Sequence, residues 1–209
     1  MRSADWYFDF TSPFAYFASL RLDEMASKTA LRVHPILFAG LLNHWGQKGP
    51  AEIAGKREWT YRWCVWFAQQ HGIPFKAPAS HPFNPVSYLR LAIAADCTPL
   101  ALHTIFEAIW TTGADATDPT LVVELAQRLQ IDPAQLAEQR LKDALRSETD
   151  QAIARGVFGV PTLAIDGELF WGADAIDFAL ACYADPTLLD SDEMRRVKNL
   201  PVGVARKLS

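Results

Sequence analysis

Cysteine is scarce: three residues in 209, Cys64, Cys97 and Cys182, far apart and in apolar or mixed surroundings. An odd, scattered set excludes a disulfide framework and offers no zinc-site spacing, so the three read as reduced core thiols. Long apolar runs are also lacking. No stretch approaches the roughly 20 apolar residues a membrane-spanning helix requires. Met1 to Phe10 carries Arg2, Asp5 and Asp9 where a secretory leader needs an unbroken apolar segment. The expectation is a cytoplasmic chain with no membrane partner. Basic blocks are missing as well. With 20 Lys and Arg against 24 Asp and Glu the formal charge is -4, and nucleic acid is not an expected partner. His34, His44, His71 and His103 show no ligand spacing, so no metal is inferred. What the chain does have is apolar content, 50% of residues against 21% charged, enough to bury a sizeable core as one domain or two interleaved ones.

The segment Asp5 to Phe10 is short, aromatic-rich and without helical periodicity, which predicts a buried first strand. A helix is expected next. Ser12 suits an N-cap, Pro13 suits the first helical position, and Phe14, Phe17, Ala18, Leu22 and Met25 form one apolar stripe. Leu31 to Phe38 reads as a second strand, and strand, helix and strand joined this tightly predict a right-handed βαβ unit. From about Ala39 to Arg155 the signals are helical: Ala51 to His71, Pro85 to Ala95, Pro99 to Trp110, Pro119 to Leu129 and Pro133 to Ala154. Thr98-Pro99, Asp118-Pro119 and Asp132-Pro133 each pair a capping side chain with a first-turn proline. Strand signals return at Pro161 to Ile165 and Glu168 to Trp171, joined by a turn at Asp166-Gly167, and a helix from Asp174 to Tyr183 follows. The tail from Asp185 onward is expected to wrap the surface or fray. The fold class is therefore α/β, a thioredoxin-like βαβ…ββα core with a large all-helical insertion. Its expected domains are residues 1–38 with 156–209, discontinuous and thioredoxin-like, and an inserted helical domain over residues 39–155.

Ser12 stands at a strand-to-helix junction, where free N–H groups favour an anion such as a thiolate. Taken alone it reads as a helix cap. Two further features add weight to a ligand site. Gly156-Val157-Phe158-Gly159-Val160-Pro161-Thr162 sets a proline directly before the third strand, a position that is cis in thioredoxin-like folds and leaves the preceding backbone free to pair with a peptide. Asp174, near the start of the last helix, reads equally as a cap or as a carboxylate for a ligand ammonium. Trp59, Trp63 and Trp66, at i, i+4 and i+7, are read as core packing, with a pocket for a flat aromatic substrate as the other reading. His81 and Asn84, in the proline-rich loop from Pro78 to Pro85, are read as facing water, with substrate contact as the other reading.

Three segments carry a family resemblance: Phe8 to Tyr16, Gly156 to Thr162, and Trp171-Gly172-Ala173-Asp174. They resemble the signature segments of 2-hydroxychromene-2-carboxylate isomerases and kappa-class glutathione transferases. The resemblance implies glutathione as cofactor, with Ser12 bonding its sulfur, Val160 before cis-Pro161 pairing with its cysteinyl backbone, and Asp174 with Ala173 holding its γ-glutamyl end. Gln47 stands where the family has an asparagine that helps anchor the ligand, and Ala173 replaces a residue that is often polar. The implied activity is cis–trans isomerisation of an aromatic 2-oxo acid through reversible thiolate addition. Glutathione conjugation and non-catalytic glutathione binding remain as other readings. Disulfide exchange needs a cysteine pair where Ser12 and Ala15 stand. A homodimer is implied by the resemblance alone.

Overall fold

β1 (Ser3–Phe8) is the strand on which the chain is built. Ala4, Trp6 and Phe8 point to one side and Asp5 and Tyr7 to the other, and all five are buried, the pattern of a strand covered on both faces. The computed structural model describes residues 2–204. After β1 come α1 (Pro13–Ser19), α2 (Leu22–Lys28), β2 (Ala30–Pro35), α3 (Phe38–Trp45), α4 (Ala54–His71), α5 (Val86–Ala94), α6 (Pro99–Trp110), α7 (Pro119–Arg128) and α8 (Gln139–Ala154). β3 (Thr162–Ile165), β4 (Glu168–Trp171), α9 (Ile176–Ala184) and α10 (Asp192–Lys198) complete the order.

The sheet order is β2-β1-β3-β4, with β1 and β2 parallel and the other pairs antiparallel. This is the thioredoxin-like α/β arrangement, with a block of helices between β2 and β3. Trp6, Phe8, Phe10 and Phe106 form the aromatic heart of the larger core, with ring centroids 4.6 to 6.4 Å apart. Pairs of this kind add about 0.5–1.5 kcal/mol each beyond burial. A smaller core on the opposite face joins Tyr7, Ile36, Leu41, Ala152, Val157 and Val160.

Several expected boundaries move. The first helix divides into α1 and α2, because the Ser19 hydroxyl donates to the Tyr16 carbonyl at 2.7 Å and Arg21 N–H closes a tight turn on Ala18 O at 3.0 Å. β2 ends at Pro35 rather than Phe38, and Phe38 instead opens α3, its N–H accepted by the Asp9 carboxylate at 2.8 Å. α9 begins at Ile176, two residues past Asp174. The tail, expected to wrap or fray, forms a 3₁₀ turn at Pro186–Asp190 and then α10. Ser191 caps α10, with Asp192 and Glu193 in its first turn and basic residues in its last. Residues 205–209 of that tail lie outside the described residues.

A buried carboxylate knits the edge of the sheet. Asp5 accepts two bonds from Arg32, at 2.6 and 2.8 Å, one from His34 at 3.0 Å and another from Arg155. Burial pushes this carboxyl up, but the Arg32, His34 and Arg155 bonds outweigh it and hold it at about 2. Among the described residues no helix is long and apolar enough to cross a membrane.

Candidate active site

Asp9 begins the turn that carries Ser12. It is fully buried, and its carboxylate accepts the N–H groups of Thr11 at 2.9 Å and Phe38 at 2.8 Å, while its carbonyl accepts the Ser12 N–H at 3.1 Å. Burial dominates those bonds and raises the Asp9 carboxyl to about 6. The next two carbonyls are also held: Trp110 Nε1 donates to Phe10 O at 2.9 Å and His81 Nε2 to Thr11 O at 2.6 Å. Ser12 itself is extended (φ -93°, ψ 116°), with Pro13 at the first helical position. Its Oγ accepts from Ala15 N–H at 3.1 Å and donates to Val160 O across 3.4 Å.

Val160 belongs to a second arm, pinned along its length. Trp45 Nε1 donates to Val157 O at 2.9 Å, Thr162 Oγ1 donates to Gly159 O at 2.8 Å, and Val160-Pro161 is cis, as expected. Gly172 N–H then donates to Pro161 O at 2.9 Å and ties β4 to this arm. Two glycines are obligatory here. A Cβ on Gly159 would lie 2.5 Å from Trp171 Nε1, so the indole rests on bare backbone. Gly172 has φ +108°, and a Cβ there would lie 2.3 Å from Asp174 Oδ1.

The structure thus brings Ser12, Val160 and Pro161 together and links them through Gly172 to Ala173 and Asp174. Ala173 packs its methyl against the main core and leaves only its backbone for a ligand. Asp174 is exposed, and its carboxylate has no hydrogen-bond partner among the described residues. The capping reading of Asp174 is not met: the N-cap of α9 is Ala175, which makes no side-chain bond. Gln47 is also exposed. It follows the left-handed Gly46 that ends α3, its N–H donates to Leu42 O at 2.9 Å, and its side chain touches none of the other site residues by a hydrogen bond.

The tryptophan stripe differs from its core reading. Trp63 is partly buried and stacks on Phe67 at 4.8 Å, near Phe14 at 5.3 Å, but Trp59 and Trp66 are 60% and 54% exposed. The buried face of α4 is made instead by the small residues Thr60, Cys64 and Ala68. His81 does not face water: both ring nitrogens are bonded, one to Thr11 O and one to Tyr61 Oη. Asn84 accepts the Val86 N–H at 3.1 Å and shapes the loop that leads into α5. Asp9 was missed by sequence reasoning, although a lone carboxylate inside an aromatic strand end signals a buried polar role. Cys64 and Cys182 are buried and Cys97 is half-buried, none of them beside Ser12; burial pushes the Cys64 and Cys97 thiols to about 12.

A family model described as a DSBA-like thioredoxin domain matches residues 4–184. A 2-hydroxychromene-2-carboxylate isomerase of Pseudomonas putida is 30% identical over 185 residues, covering 82% of this chain and 89% of that one. Glutathione S-transferase kappa 2 of Caenorhabditis elegans is 26% identical over 205 residues, covering 87% and 91%. The chain belongs to the isomerase and kappa-transferase family of DSBA-like thioredoxin enzymes. A solved 2-hydroxychromene-2-carboxylate isomerase superimposes on this family member with a TM-score of 0.74 at 26% identity, over 91% of this chain and 98% of that one. Within the family, Ser12 and Ala15 occupy the junction where disulfide exchange would require a cysteine pair.

Proposed function

We propose that this chain is a glutathione-dependent cis–trans isomerase of an aromatic 2-oxo acid, of the 2-hydroxychromene-2-carboxylate type. One observation carries the reading: the Ser12 hydroxyl stands 3.4 Å from the carbonyl of Val160, the residue before cis-Pro161. A side-chain donor and the backbone that leads into β3 converge at one point. The residues fit the tripeptide. Among the described residues the long bond from Ser12 is the one hydrogen bond at the Val160 backbone, so its N–H and carbonyl can take up an extended peptide at little cost.

Glutathione, when bound, supplies a thiolate that adds to the conjugated double bond and leaves after rotation about the resulting single bond. Ser12 then turns its hydroxyl from Val160 O to the sulfur, while the Ala15 N–H keeps its oxygen in place. That bond favours the charged sulfur and lowers the thiol pKa. Asp174 offers its free carboxylate to the γ-glutamyl ammonium, Ala173 offers backbone, and Gln47 offers an amide from the end of α3. α1 has seven residues, so the hydroxyl does more here than the helix dipole. Kinship alone extends the reading to the cytoplasm, to aromatic catabolism and to a homodimer.

The test is an ultraviolet assay of chromene-carboxylate isomerisation with and without glutathione, beside one with a generic aromatic electrophile. Isomerisation that requires glutathione and does not consume it is the expected result. Glutathione consumed in step with the electrophile, without isomerisation, makes the chain a conjugating transferase as in the kappa class. The absence of both activities overturns the reading.

A further inference from the structure

Two consecutive carbonyls before Ser12 are held by ring N–H groups from the inserted helices. Trp110 in α6 takes Phe10 O, and His81, between α4 and α5, takes Thr11 O. A carbonyl oxygen brings no proton, so the 2.6 Å contact requires that His81 Nε2 carry the hydrogen. His81 Nδ1 is then an acceptor, and Tyr61 Oη, 2.5 Å away, must donate to it. The chain of donors runs one way, from Tyr61 O–H to Nδ1 and from Nε2–H to Thr11 O, and it admits a single neutral tautomer.

The outer end of this relay is braced too. Arg57 Nη2 donates to the His81 carbonyl at 2.8 Å, and its guanidinium lies 5.8 Å over the Tyr61 ring. The imidazole packs 5.4 Å from the Trp110 ring and 5.8 Å from that of Phe83. Burial and the Arg57 charge push the imidazole below the usual histidine range, in keeping with the neutral ring that the geometry demands.

We propose that His81, held in one tautomer by Tyr61, is a positioning residue for the isomerase reaction: it fixes the peptide plane between Thr11 and Ser12 and so aims the Ser12 hydroxyl at the bound sulfur. The inference rests on the glutathione-dependent reading above. Its physical basis is that Thr11 O and Ser12 N belong to one rigid peptide unit, with N–H held by Asp9 O at 3.1 Å and C=O held by His81. Without the imidazole only the first hold remains, and the plane is free to tilt. A small tilt displaces the hydroxyl, and catalysis is steep in such displacements.

Three variants test this. His81→Phe keeps the ring packing and removes the N–H; Tyr61→Phe removes the hydroxyl that selects the tautomer; His81→Gln restores an N–H near the Nε2 position. The expected outcome for His81→Phe is a kcat about tenfold lower and a raised thiol pKa of bound glutathione, read from thiolate absorbance, with the glutathione KM within about twofold, as expected for losing one hydrogen bond's worth of orientation. Tyr61→Phe should shift both in the same direction by less, and His81→Gln should recover most of the loss. Imidazole nitrogen NMR shifts of the wild type, which need no variant to fold, should show Nε2 protonated and Nδ1 accepting. A wild-type ring protonated at Nδ1, or a His81→Phe enzyme with unchanged kcat and thiol pKa, overturns the proposal. If wild-type protein shows no melting shift with glutathione, the parent reading fails and the catalytic consequence fails with it. The NMR tautomer still reports on the clamp itself.

Discussion

Ser12 does two jobs in this account, and substitution can separate them. Its oxygen accepts the Ala15 N–H at 3.1 Å, which makes it a helix cap, and its hydrogen is free to turn from Val160 O to a thiolate. Ser12→Ala removes both. Loss of a cap costs about 0.5–2 kcal/mol of stability. A hydrogen bond to a charged group is worth about 1.5–3 kcal/mol, which at 1.36 kcal/mol per unit corresponds to roughly one to two units in the pKa of the bound thiol. Turnover should therefore fall by about ten- to a hundredfold, with a matching rise in the pH at which thiolate absorbance appears. Ser12→Gly distinguishes the roles, because glycine caps a helix nearly as well as serine, within a few tenths of a kcal/mol. In urea unfolding the Gly variant should lie close to wild type, and in the isomerase assay it should be as impaired as the Ala variant. A Gly variant with wild-type turnover refutes the reasoning and leaves Ser12 a cap.

Asp9 makes the protein less stable as its carboxyl ionises. Its folded pKa of about 6 lies above the ordinary 3.8, so its contribution to stability is fully present below 3.8 and is lost as pH rises through 6. Denaturation of wild type and Asp9→Asn across pH 4 to 7 should show a decline in wild type that the variant lacks; parallel curves contradict this. Asp5 works in the other sense. Held at about 2, it stabilises above 3.8 and that stabilisation is lost as pH falls through 2, so Asp5→Asn should lose the difference at neutral pH and flatten the acid limb of the same measurement. Gly172→Ala should cost at least about 1 kcal/mol, given φ +108° and the 2.3 Å approach to Asp174 Oδ1, and should weaken glutathione binding by calorimetry as Asp174 is displaced. Trp66→Gln should cost less in thermal unfolding than Trp63→Gln, because Trp66 is 54% exposed whereas Trp63 is partly buried and stacks on Phe67 at 4.8 Å.

Local chemistry made much of this legible. Thr98, Asp118 and Asp132 each cap the turn that their following proline opens, bonding Ala101, Thr120 and Ala134 N–H groups. Asp166 and Gly167, with φ of 51° and 89°, form the hairpin turn that the Asp-Gly pair announces. Cis-Pro161 was likewise readable from a proline set before a strand in a thioredoxin-like order, whereas the nearness of Ser12 to Val160, 148 residues apart, was implied only by the family resemblance. The misses share a cause: a distant partner decided each of them. α3 was hidden because its first N–H is answered by Asp9, 29 residues earlier, and nothing near Phe38 announces a helix start. His81 looked like a solvated loop residue because its partners are Tyr61 and Thr11. The tryptophan stripe misled because hydrophobicity indicates a face without saying which face is covered, and in α4 the small residues face inward. Asp174 had the position of a cap, but α9 starts two residues later and leaves its carboxylate to solvent.

Crystals of the protein grown with reduced glutathione would show directly whether Ser12 meets the bound sulfur. The sulfur should lie about 3.0–3.5 Å from Ser12 Oγ, within reach of a hydroxyl donating to sulfur, with the cysteinyl backbone paired to Val160 and the ammonium near Asp174. Glutathione bound elsewhere, or bound there with its sulfur turned away from Ser12, contradicts it.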